Sequence, residues 1–229
     1  MSKALVLALL HIDWYDCLMS AKEPHSPTLG EQPTTVRRIL DAARIEFGAN
    51  GFDGTKVEHI ARRAGVSKQS VYFYFEGKDE LYAELLKEIS GATLDQLFKI
   101  DYASLPPIEA ARRYVEAVYD AFAKDPVAGV VSLDQSMHRG AQLRPGRLVR
   151  QRQDLLGEIL ADIIRRGRNE GVIGEHIDEN RLEFMTLIVA VNCASSTEMF
   201  ERYIGRSWDL DAIQTRAFAV DFLLRALAP

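Results

Sequence analysis

Cysteine is nearly absent: the 229 residues hold two, Cys17 and Cys193. Their wide separation, without CxxC or CxxxH spacing, signals neither a disulfide framework nor a zinc site. A reducing compartment, the cytoplasm, fits that usage. Long apolar runs are missing too. The short run from Ala4 to Leu10 behind Lys3 falls well short of the ~20 residues needed to span a bilayer. His11, Asp13 and Asp16 follow it at once, without a small-residue cleavage site, so neither export nor a membrane span is expected. Excess positive charge is also lacking: 28 Lys and Arg against 33 Asp and Glu leave a net charge of -5. That balance argues against a protein that coats nucleic acid indiscriminately. What the chain does have is a 47% hydrophobic fraction, enough for a sizeable core.

The global charge hides a local one. Residues 33 to 78 carry eight cations (Arg37, Arg38, Arg44, Lys56, Arg62, Arg63, Lys68, Lys78) and five anions (Asp41, Glu46, Asp53, Glu58, Glu76), a net of +3 that leaves -8 for the remainder. Upstream, Ala21 to Pro33 is rich in Pro, Ser, Thr, Gly and Glu, which is linker composition. Residues 1–33 therefore read as a flexible extension, with folded structure expected from about Thr34.

From Thr34 the chain reads as helices almost throughout. Val36, Ile39, Leu40, Ala43 and Phe47 recur at helical spacing behind a Thr34 or Thr35 cap, and the Asn50-Gly51 pair supplies a stop. Thr55 with Glu58 predicts a capping box for a second helix, with Val57, Ile60, Ala61 and Ala64 as its apolar stripe and Gly65 as its end. Ser67 is expected to cap a third, with Val66 and Val71 as a hydrophobic staple. At about 100° per residue, Val71 and Phe75 then point inward. Lys68, Gln69, Tyr72 and Phe73 face out. Two short helices joined by a tight glycine turn let the second lie in a DNA major groove while the first crosses the backbone.

These residues also match a family. The stretch from Gly54 to Leu81, GTKVEHIARRAGVSKQSVYFYFEGKDEL, resembles the signature of TetR-family transcription regulators, a resemblance that covers Thr34 to Leu81. Gln69-Ser70 stands where many members have Gly-Thr, Tyr74 stands where many have His, and the long N-terminal extension is unusual. The resemblance implies phosphate contacts from Thr55, Lys56, Ser67, Tyr72, Tyr74 and Lys78, and base reading by Lys68, Gln69 and Phe73. Chemistry supports the division, since Gln pairs bidentately with adenine and Phe packs on a thymine methyl, whereas hydroxyls and ammonium groups suit phosphate oxygens. Thr55 and Ser67 would serve as caps in any case, and the tyrosines would serve as core edges.

Beyond Leu81, helices are expected near Lys78 to Ile100, Pro107 to Lys124, Val127 to Arg139, Gly146 to Gly171, Asp178 to Ile204 and Asp209 to Leu227, separated by turn-like Pro and Gly clusters. The expected fold is all-α: a three-helix module with a helix-turn-helix over 34–80, then a helical domain over 81–229. The resemblance implies that this domain binds an unidentified small-molecule effector and forms a homodimer through its last two long helices. Leu182 to Phe200 and Ala217 to Leu227 are apolar enough to bury on more than one side. Asn192, Cys193, Ser195, Ser196 and Thr197 read as small polar residues at a helix interface before they read as cavity lining. Phe122, Phe184, Met185 and Trp208 read as core, and Met137-His138 as either core edge or effector contact.

Two other classes compete. Asp134 and His138 share helical spacing and Glu198 is available, but one acid and one imidazole without a nucleophile or ligand set do not make an enzyme, so no catalytic residue, metal or cofactor is expected. An architectural DNA binder would need abundant cations or wedge residues, against -8 outside one small module. The expected function is a ligand-responsive regulator, a repressor in its simplest form, whose partner is double-stranded palindromic operator DNA.

Overall fold

The computed structural model describes residues 34–207 and 210–229, less the side chains at 197–199 and 204. The expected flexible extension of residues 1–33, Trp208, and the side chains of Thr197 and Glu198 lie outside the described residues. Among those described, ten helices and one short 3-10 turn make up the regular structure, with no strand.

Helix α1 (Thr35–Gly54) starts where Thr34 Oγ1 accepts the Arg37 N–H at 3.3 Å, and it buries Ile39, Leu40, Ala43 and Phe47. Its regular part stops at Gly51, whose φ of 66° and ψ of -177° break the run in a backbone region that glycine alone adopts readily. Phe52 then turns back into the core. α2 (Val57–Ala64) buries Val57, Ile60, Ala61 and Ala64. It ends at Gly65 (φ 66°), where the Val66 N–H reaches the Ala61 carbonyl at 3.0 Å. α3 (Lys68–Tyr74) is capped by Ser67, whose Oγ accepts the Ser70 N–H at 3.0 Å, and α4 (Lys78–Leu97) follows after Gly77.

One expected cap is replaced. Thr55 closes α1 instead of opening α2: it is 2% exposed, and its hydroxyl donates to the Glu46 carbonyl (3.0 Å) and the Gly51 carbonyl (2.7 Å). Lys56 occupies the N-cap of α2 without a side-chain cap bond, and Glu58 pairs across to Lys68. The competing partners for the threonine hydroxyl are backbone carbonyls of the last turns of α1, an outcome open to Ser and Thr near helix ends.

After the turn Tyr102–Ser104 come α5 (Pro107–Lys124), α6 (Pro126–Met137), α7 (Arg147–Asn169), α8 (Glu179–Ser195), α9 (Thr197–Ile204) and α10 (Ala212–Ala226). The helix expected over Asp178 to Ile204 is two, divided at Ser196 (φ -122°, ψ 7°). Asn192 bonds back to the Ile188 carbonyl at 2.8 Å, and the polar Asn-to-Ser run ahead of the break offers the backbone non-helical alternatives. The other helix ends differ from expectation by a few residues, the ordinary scatter of helix termini.

α8 lies against α5, α6, α7 and α10, while α1 packs on α4 and α6. Buried apolar side chains form one cluster from Ile39 to Leu227. The module and the helices beyond it therefore share a core, and the expected boundary at 80 falls inside α4. α1 and α6 approach closely at Gly48, where an added Cβ would stand 3.0 Å from a Val127 methyl.

Candidate nucleic-acid interface

α3 is held by its inner face. Val71 is fully buried and Phe75, just past its end, is 4% exposed. With those two fixed, helical geometry turns Lys68, Gln69, Tyr72 and Phe73 outward, and all four are exposed. Phe73 is 79% exposed. With Tyr72, it leaves aromatic surface in water beside the polar Lys68 and Gln69. Its ring stands edge-on to Tyr74, centroids 5.0 Å apart, and Tyr74 itself packs on the core edge.

The turn between α2 and α3 is tied from behind. Arg38 on α1 donates to the carbonyls of Ala64 (2.5 Å) and Gly65 (3.0 Å). Sequence reasoning missed this role, since no local spacing links residues 26 apart. Lys68 bridges α3 to α2 through Glu58 at 2.5 Å. That bond holds the Glu58 carboxyl below its usual range and the Lys68 ammonium above its own, although both are exposed and the pair is worth little in water.

The local cation excess is only partly presented to solvent. Arg37 is held by Asp41 and Glu88, Arg44 by Asp125, and Arg63 by Glu46. Lys56 and Arg62 are exposed and stand in no ion pair among the described residues. Lys78 donates its ammonium to the Phe52 carbonyl at 2.9 Å and lies 4.3 Å from the Phe52 ring centroid. Of its three donors, at least one faces the protein.

Of the nine residues singled out from the sequence, the structure brings Lys68, Gln69, Tyr72 and Phe73 onto one exposed face. Ser67 sits at its N-terminal edge and Tyr74 at the core side. Lys56 stands exposed at the start of α2. Thr55 is the exception: buried, with its hydroxyl engaged by two carbonyls, it offers no oxygen or proton to a phosphate and is withdrawn as a contact. The Asp134–His138 pair is tied to structure as well. Asp134 accepts the Tyr82 hydroxyl at 2.5 Å and the Phe52 N–H at 3.4 Å, and the His138 ring meets the Asp134 carbonyl oxygen and Asp53. Among the described residues, no three His, Cys, Asp or Glu side chains gather as a metal site.

Beyond α4, three hydroxyls are buried with no partner among the described residues: that of Tyr102 and, on α8, those of Thr186 and Ser195. Burial pushes the Glu183 carboxyl on the same helix above its usual range. An open groove of about 580 Å³ runs along the start of α8, lined by Asp178, Arg181, Glu183, Phe184 and Leu187 among others. Phe184 and Met185 are 63% and 43% exposed, which corrects their assignment to the core. No helix among the described residues is long and apolar enough to cross a membrane.

Comparison with known proteins adds to this geometry. The family described as bacterial regulatory proteins, tetR family, matches residues 39–85, and a tetracyclin repressor-like C-terminal domain matches residues 107–222. The HTH-type transcriptional repressor NicS of Pseudomonas putida is 25% identical over 143 residues, 62% of this chain and 68% of that protein. The HTH-type transcriptional regulator RutR of Escherichia coli is 30% identical over 146 residues, covering 62% of this chain and 67% of its own length. A bacterial regulatory protein in the tetR family from Rhodococcus shares the fold, with a TM-score of 0.65 and 19% identity over 86% of this chain and 98% of that one.

Proposed function

Because the chain belongs to the tetR family of bacterial regulatory proteins, we propose that it is a dimeric repressor that binds a palindromic operator in the cytoplasm and is released by a small-molecule effector. The observation that carries the reading is the outward face of α3, where Lys68, Gln69, Tyr72 and a 79%-exposed Phe73 are held out by the burial of Val71 and Phe75. In this reading Gln69, Phe73 and Lys68 meet base edges, while Lys56, Ser67, Tyr72, Tyr74 and Lys78 meet phosphates.

Two-fold DNA requires a two-fold protein. Support for a homodimer comes from α8 and α10, which expose Phe184, Met185, Leu187 and Ile188 on one and Ile213, Phe218 and Phe222 on the other. In the dimer these faces pair with their copies as a four-helix bundle. In this reading DNA is read by residues 34–80, and effector binding and dimerisation belong to 81–229, with α4 running across the division.

Release works through differential binding. Recognition helices in a dimer must meet major-groove faces about 34 to 36 Å apart, or a multiple of that. An effector that prefers another spacing weakens DNA binding, and by linkage operator DNA weakens the effector equally, with couplings of about 1 to 3 kcal/mol. α4 is the lever, since it begins beside the module and packs on α1, α5 and α7.

The test is selection of bound fragments from the source genome. A shared palindrome, retained at moderate salt and relaxed at one symmetric base pair in Gln69→Ala, is the expected result. Random, salt-labile recovery sinks the reading.

A further inference from the structure

The α1–α6 junction contains an imidazole in an unusual position. His138, at the C-terminal end of α6 and 27% exposed, directs Nδ1 to the Asp134 carbonyl oxygen at 2.8 Å and Nε2 to Asp53 Oδ2 at 3.2 Å. Both partners are acceptors: a carbonyl has no proton to give, and neither does an ionised carboxylate. A neutral imidazole carries one N–H and can satisfy only one of them, whereas the imidazolium carries two. The geometry fits the charged ring. Asp53 lies in the turn between the Gly51 break and α2, so the contact joins the DNA-reading module to the helix that follows α5.

We propose that His138 is a protonation-dependent latch that positions the DNA-reading module, closed on Asp53 when the ring is charged and loosened when it is neutral. The inference rests on the regulator reading for its consequence, but not for the latch itself.

The surroundings set the direction. On its own helix His138 faces Asp134, whose Oδ1 is 3.8 Å from Nδ1. From the turn it faces Asp53, and the Phe52 ring stands edge-on with centroids 5.9 Å apart. From α4 come Lys78, drawn to the Phe52 carbonyl and ring, and Tyr82, whose hydroxyl donates to Asp134. Two carboxylates, Asp53 and Asp134, thus stand 3.2 and 3.8 Å from the ring nitrogens. The His138 pKa is accordingly raised, first by the bond to the Asp134 carbonyl and then by Asp53. A group whose folded-state pKa is raised holds its full contribution below the unfolded value and loses it as pH climbs through the folded one. The latch is therefore closed at mildly acid pH and opens on the alkaline side of the ordinary imidazole range.

A second fixed link keeps the junction from falling apart when the latch opens. Asp134 still holds the Phe52 N–H and the Tyr82 hydroxyl. Loss of the latch releases Asp53 from His138 and loosens the approach to α2 without unfolding the protein. A module held in one orientation has less ordering left to do on DNA.

The experiment has two arms on the full chain. In the first, NMR follows the His138 ring: its midpoint is expected above that of an unperturbed imidazole, and to fall in Asp53→Asn, which cannot offer a charged acceptor. A midpoint unmoved by Asp53→Asn overturns the latch, whatever DNA does. In the second, affinity for a duplex selected by the wild type from a random-sequence pool is measured between about pH 6 and about pH 8. The wild type is expected to bind about two- to five-fold tighter at the acid end, after dividing by the same ratio in His138→Gln, as suits an exposed pair. Equal pH profiles in wild type and His138→Gln, or a reversed ratio, overturn the positioning role. Failure to select any duplex counts against the regulator reading and leaves the first arm to decide the latch.

Discussion

Gln69 and Lys56 stand for the two kinds of contact that the exposed surface of the module can make. Gln69 sits one residue inside the N-terminus of α3 with Val71 buried behind it, where a side chain reaches base edges. Gln69→Ala should cost about 1 to 3 kcal/mol on the operator and relax preference at one symmetric base pair. Titration against single-base variants of the selected duplex checks this, and a uniform loss across all variants would contradict it. Lys56 is exposed at the start of α2. Lys56→Ala should weaken all sequences alike and flatten the salt dependence by about one unit of slope per lost contact, doubled in a dimer. Lys78 is a poorer probe of the same role. Its ammonium also holds the Phe52 carbonyl, so Lys78→Ala combines a lost phosphate contact with a loosened turn, and thermal unfolding should show the second effect where Lys56→Ala shows none.

At the scale of the helix, most of the pattern is legible in the sequence. The apolar stripes of α1 and α2, the Gly51 and Gly65 stops and the inward pair Val71 and Phe75 are local signals, fixed by 3.6-residue periodicity and by the left-handed freedom of glycine. The exposed α3 face followed from the same arithmetic. What escaped the sequence is what joins distant residues. The Thr55 hydroxyl turns to carbonyls of Glu46 and Gly51, Arg38 ties the α2–α3 turn, and Asp134 reaches Phe52 and Tyr82. The break at Ser196 escaped because Asn, Ser and Thr are tolerated in helices and favoured at their ends alike. α7 offers a test of which local rule wins. Gly167 lies inside it, and replacing an exposed helical glycine by alanine normally gains about 1 kcal/mol. Here an added Cβ would stand 2.5 Å from two carbons of Ile173, which is 3% exposed and bonds its N–H to the Gly167 carbonyl at 3.1 Å. Overpacking of about 1 to 3 kcal/mol then exceeds the propensity gain. Gly167→Ala should lower the midpoint of thermal unfolding, and a raised midpoint would show that Ile173 can move aside.

For the molecule as a whole, the apolar faces of α8 and α10 decide whether one chain suffices. Ile188 and Phe222 are 42% and 52% exposed, and Phe222 stacks on Phe218 with centroids 6.3 Å apart. Aromatic and aliphatic side chains left in water over two neighbouring helices are what a self-complementary interface would cover. Charge placed there should be tolerated by the single chain, because neither side chain belongs to its buried core. The double variant Ile188→Glu, Phe222→Glu should therefore keep its helical circular dichroism yet sediment as a monomer at micromolar concentration, where the wild type sediments as a dimer. Its operator affinity should fall by about a hundredfold or more, since one module then binds without the effective concentration that a tethered second module provides. The His138 midpoint should not change, since the latch closes within one chain. A double variant that still sediments as a dimer would place the interface elsewhere. A monomer that binds the full palindrome as tightly as the wild type would show instead that the two half-sites are read independently, and the proposed release by altered spacing between recognition helices would then have no element to act on.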